Sequence, residues 1–103
     1  MIPTHKNDGL SKFQIVCRDA LLKALSDLKV SPARVETVKG DVATDIEIDI
    51  DTPRLHLWIY EDEGACIEGA GKTDVLEWQD YENGLKGVQQ AFIEQIIQRI
   101  CEG

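Results

Sequence analysis

From Thr44 to Asp51 the chain reads Thr-Asp-Ile-Glu-Ile-Asp-Ile-Asp, acid and isoleucine alternating with strict period two. Successive side chains of an extended strand point to opposite faces, so this pattern suits a strand with one buried face and suits no helix. Ile46, Ile48 and Ile50 go to one side, and Asp45, Glu47, Asp49 and Asp51 form a ladder of carboxylates on the other. The rest of the chain must supply neighbours for both sides.

The same period persists from Arg34 to Ala70, punctuated by turn residues, which predicts a four-stranded antiparallel meander. A Gly40-Asp41 turn pairs Lys39 with Val42, Val35 with Ile46 and Arg34 with Glu47. A Pro53-Arg54 turn, with proline at the first central position, sets Thr52 beside Leu55, Ile50 against Leu57 and Ile48 against Ile59. This count puts Asp51 beside His56, Asp49 beside Trp58 and Glu47 beside Tyr60. Beyond the turn Asp62-Glu63-Gly64, Ile67 falls opposite Ile59 and Glu68 beside Trp58. Facing is better determined than turn type, because a slip of one residue throws the isoleucines into water. Gly69 to Gln79 fits a short fifth strand or a loop crossing the sheet end, where it would cover Trp58.

Helical periodicity flanks the meander on both sides. Residues 1 to 9 are polar and read as a loosely held lead-in. Ser11 and Gln14 then fit a capping box, with Leu10 and Ile15 as its hydrophobic staple. Phe13, Cys17, Ala20, Leu21, Ala24, Leu25 and Leu28 form one apolar stripe, Arg18 lies on the wet side, and Ser31-Pro32 is the stop. A second helix is expected from near Asp80 or Asn83 to Cys101, with Val88, Phe92 and Ile96 in its stripe. The predicted fold is therefore a single α+β domain, α-β-β-β-β-α, with both helices on one face of a four-stranded sheet.

Charge narrows the partners. The chain of 103 residues carries a net charge of −8, unevenly placed. Residues 1 to 40 hold seven basic and four acidic side chains, whereas residues 41 to 103 hold four and fifteen. A field of that sign repels phosphate backbones and anionic lipid and attracts basic proteins. Cys17, Cys66 and Cys101 make no C-x-x-C pair and leave one thiol over, the pattern of reduced cysteines in a cytoplasmic protein. The N-terminus lacks an apolar signal region, and no apolar run approaches the roughly 20 residues that span a bilayer.

The acid ladder is the leading candidate for function. Adjacent acids on one face repel, and exposed aromatics beside them leave apolar surface in water. Glu47, Asp49, Asp51, His56, Trp58, Tyr60 and Glu68 together make a face suited to docking a basic protein, aromatics anchoring and acids steering. Metal binding fits poorly: Ca²⁺ needs six to eight converging oxygens, and a flat strand spreads alternate side chains about 7 Å apart. Gly71-Lys72-Thr73 matches the end of a phosphate-binding loop, but Cys66 stands where its first glycine belongs. A Cys66–His56 pair on neighbouring strands is the one arrangement that suggests thiol catalysis, and the chain is read as neither an enzyme nor a cofactor binder.

Leu55-His56-Leu57-Trp58-Ile59-Tyr60, an acidic turn, Ala65-Cys66-Ile67-Glu68, then Leu76-Glu77-Trp78-Gln79-Asp80-Tyr81 and a closing helix through Ala91-Phe92-Ile93-Glu94-Gln95-Ile96 resemble small bacterial immunity proteins of polymorphic-toxin and contact-dependent inhibition systems. The resemblance covers residues 55 to 100 and transfers no individual functional residue. It implies a cytoplasmic, non-enzymatic protein that binds and neutralises a cognate toxin, and a basic nuclease toxin would match the acidic face; apart from the resemblance, the chain is expected as a monomer or as a homodimer through the outer face. The alternative is a phage-type acidic inhibitor or DNA mimic acting on restriction or CRISPR machinery.

Overall fold

The structure, a computed structural model, describes residues 9 to 61 and 64 to 102. Residues 1 to 8 of the expected lead-in, and Asp62-Glu63 of the third turn, lie outside the described residues. The elements are α1 (Lys12–Asp27), β1 (Arg34–Lys39), β2 (Thr44–Ile50), β3 (Leu55–Ile59), β4 (Ala65–Gly69), β5 (Lys72–Leu76), a short 3-10 turn (Trp78–Asp80) and α2 (Leu85–Glu102). The fold is α+β, and the antiparallel sheet runs in chain order β1-β2-β3-β4-β5.

The sheet has five strands rather than four. Ala70 and Gly71 both take positive φ, 53° and 75°, between the paired residues Gly69 and Lys72. Two consecutive left-handed residues reverse a chain with the twist that a hairpin needs. Residues 72 to 76 therefore return alongside β4 instead of crossing over Trp58. An alanine in the first position hides this turn from a reading that looks for Asn-Gly or Asp-Gly.

The three earlier pairings are each displaced by two residues from the expected register. Gly40 N donates to Ala43 O at 2.9 Å, so Asp41 and Val42 occupy the first turn and Lys39 pairs with Thr44. Gly40 does not take the positive φ that a Gly40-Asp41 turn needs. Val35 consequently faces Ile48, and Arg34 faces Asp49. Between β2 and β3 the Thr52–Pro53 peptide is cis and the connection spans Asp51 to Arg54, so Ile50 meets Leu55 and Ile48 meets Leu57. Ile67 then meets Leu57, not Ile59. A displacement of two preserves facing, so every isoleucine of β2 still enters the core.

That core lies between the inner sheet face and both helices. Ile46, Ile48, Leu57, Ile59 and Ile67 pack with Leu21 and Leu25 of α1 and Val88, Phe92 and Ile96 of α2, each with no more than 1% of its surface exposed. The capping box forms as expected, with Ser11 Oγ accepting from Gln14 N and Gln14 Oε1 accepting from Ser11 N. Gln14 does more than cap: it is fully buried, and its amide donates to Thr44 O at 2.7 Å and Ile59 O at 2.9 Å. Arg18 is also buried, not on the wet side, and bonds to Asp19.

Helix α1 ends before Ser31-Pro32. Lys29 takes φ 58°, Val30 N donates to Leu25 O and Lys29 N to Ser26 O, the two bonds of a Schellman motif. Leu28 falls past the last helical turn and stays 39% exposed instead of joining the stripe. For α2 the first helical bond runs from Val88 N to Gly84 O, so the helix begins after both expected caps. Among the described residues no helix is long and apolar enough to cross a membrane.

All three cysteines are free thiols, two of them buried. Burial pushes the Cys17 thiol up to about 12 and raises that of Cys66, where a Tyr60 hydrogen bond acts more weakly the other way. Since the thiolate is the reactive form, a disulfide reagent at pH 8 is expected to titrate Cys101 promptly and the other two only on unfolding. A stopped time course that finds three fast thiols in the native protein contradicts this packing.

Candidate functional site

Because both helices lie on the inner side, the outer face of the sheet has no covering element among the described residues. Register assigns its rows. One runs Arg34, Asp49, His56, Glu68, Thr73 from β1 to β5, and the next runs Glu36, Glu47, Trp58, Cys66, Val75. Relative to expectation, Asp49 stands beside His56, Glu47 beside Trp58 and Glu68 beside His56, while Asp51 has left the ladder for the exposed β2–β3 turn.

Arg34 is the hub of this face. Its guanidinium donates from Nε to Asp49 at 2.7 Å, from Nη2 to Glu47 at 3.0 Å and from Nη1 to Glu36 at 2.5 Å. The fixed fork of an arginine can reach three carboxylates on two strands, which a lysine cannot do as well. These bonds, that with Asp49 foremost, push the Arg34 pKa further up. The repulsion expected along the acid ladder is therefore partly offset from within the sheet.

His56 closes the network on the other side. Nδ1 is 2.5 Å from Asp49 Oδ1 and Nε2 is 3.1 Å from Glu47 Oε1. Ionised carboxylates only accept, so both contacts are hydrogen bonds together when the ring carries both protons. The ring centroid of His56 lies 4.1 Å from that of Trp58, with planes at 51°. The imidazole thus touches carboxylates on one side and the indole on the other.

Next to this polar block runs an apolar strip. Trp58 is half-buried, Cys66 forms a buried floor opposite it, and Val75 on β5 is 56% exposed. Tyr60, just past β3, is half-buried and hydrogen-bonds with Cys66. The exposed Glu68 flanks the strip. Val75 belongs to the segment that the sequence leaves as strand or loop, and the expected register sets Arg34 beside Glu47 alone; its reach to three carboxylates depends on the two-residue register change.

Other candidate chemistry is not assembled. Cys66 stands opposite Trp58, and both nitrogens of His56 face carboxylates, so the two do not form a thiol–imidazole pair. Gly71 sits in a hairpin turn and Lys72-Thr73 open a strand, so no helix N-terminus follows to hold phosphate. Among the described residues no three His, Cys, Asp or Glu side chains converge as metal ligands. Compared with known proteins, the chain matches no family model, no curated protein and no solved structure.

Proposed function

We infer that the outer sheet face docks a basic protein, and that the chain acts by binding, without catalysis, as an immunity protein masks its cognate toxin. The observation that carries this reading is the strip Trp58–Cys66–Val75, on a sheet face that no element among the described residues covers, bordered by Glu47, Asp49 and Glu68. Productive interfaces combine an aromatic anchor with a charged rim, and Trp58, packed against His56, supplies the anchor. Arg34 already holds two ladder acids, Glu47 and Asp49, together with Glu36 of β1, which leaves a poorer imitation of a row of phosphates and favours protein docking over DNA mimicry. The unpaired thiols suit a reducing, cytoplasmic setting.

The test begins with capture of the partner on tagged protein in lysate of the source cell, followed by calorimetry with the purified pair. Trp58→Ala is expected to weaken binding by about 2–4 kcal/mol, roughly 30- to 1,000-fold. Val42→Ala, at a turn where the side chain is 97% exposed, is expected to leave the affinity unchanged. Equal affinity of the Trp58 variant and the parent rules the face out.

A further inference from the structure

The two edges of the sheet are not alike. On β5, Arg99 of α2 reaches across to the carbonyls of Gly69 and Lys72 and to Asp74. On β1, the ladder runs unbroken over six residue pairs with β2, and the other edge has no strand partner among the described residues. Gly40 N bonds to Ala43 O, so alternate residues back from it, Val38, Glu36 and Arg34, direct their backbone groups toward β2. Val35, Thr37 and Lys39 therefore direct theirs outward, and among the described residues no protein group meets them. A regular row of free donors and acceptors is a template for another strand.

We propose that β1 pairs with β1 of a second copy, antiparallel and centred on Thr37, to give a continuous ten-stranded sheet. Three observations select this occupant. The outward groups at 35, 37 and 39 are symmetric about Thr37, as a two-fold interface requires. In that register Thr37 faces Thr37, Val35 faces Lys39, Glu36 faces Val38 and Arg34 faces Gly40, so no charged residue stands opposite another. On this flank Lys29, Arg34 and Lys39 also offset Glu36 and the adjoining Glu47 and Asp49 of β2, so the acidity of a chain of net charge −8 is balanced locally. Two copies meet there without the repulsion that their acidic surfaces impose elsewhere, and a basic strand finds no attraction. A groove of about 650 Å³ beside β1, lined in part by Leu22, Ser26, Val30 and Val35, leaves room for the neighbouring Lys39 stem.

The two-fold axis is perpendicular to the sheet, so both outer faces point the same way and stay open. Sedimentation equilibrium on the full chain, from micromolar to millimolar, is expected to show mass rising from one chain to two. Thr37→Pro removes an outward N–H and spares the β1–β2 ladder, so it is expected to weaken the dimer at least about tenfold with an unchanged circular dichroism spectrum. Should that variant misfold, Thr37→Cys in a Cys101→Ser background decides the matter, since facing positions in such a pair lie within disulfide reach and oxidised glutathione should link two chains. A monomer at every concentration, or a dimer that Trp58→Ala breaks and Thr37→Pro does not, overturns the proposal.

Discussion

Gly64→Ala is expected to lose about 3–5 kcal/mol of stability, from backbone strain and overpacking together. Gly64 is buried with φ 112°, outside the left-handed well that other residues tolerate, and an added Cβ would come 1.9 Å from Leu76 O. That oxygen belongs to the end of β5 and cannot swing aside as a side chain would. Gly71→Ala is the matched comparison: its φ is 75°, and an added Cβ meets nothing within 4 Å, so it should cost about 1 kcal/mol. Urea denaturation of the two variants measures the difference. Equal midpoints would mean that β4 and β5 do not close as described.

Gln14→Leu is expected to cost about 2–4 kcal/mol although it keeps size and helix propensity, because it strands two carbonyl oxygens that the amide now satisfies. Ile59 O is bonded in the buried interior, and Thr44 O opens β2. Gln14→Glu probes the same point in a stricter way, since it retains an acceptor for Ser11 N but sets a carboxylate oxygen against those carbonyls. At neutral pH the glutamate variant should be the less stable of the two in denaturant titration. A glutamate variant as stable as the parent would reduce Gln14 to an ordinary cap.

These two residues also mark what can be read from sequence. The alternation at Ile46, Ile48 and Ile50 specifies which face is buried, and a register displaced by two leaves that answer intact. It does change every cross-strand neighbour, which is why the site was legible as a face and not as a set of contacts. Asp49 next to His56, and Arg34 gripping three acids, depend on where each turn sits, and those turns carry weak signals: an unremarkable Asp41-Val42 pair and a connection from Asp51 to Arg54. Gln14 was legible as a cap because capping is local. Its second role was not, since Thr44 and Ile59 lie 30 and 45 residues away.

Arg34 gives the outer face a tethered counter-ion. Carboxylates exposed in a row normally gather mobile cations, and much of the drive for a basic molecule to bind them comes from setting those cations free. Here part of that neutralising charge is covalently attached and stays in place when anything arrives. For the docking proposed above, less entropy is then to be gained from ion release, and more of the affinity has to come from dehydrating Trp58 and, across Cys66, Val75. The proposed docking would then be governed more by fit than by salt.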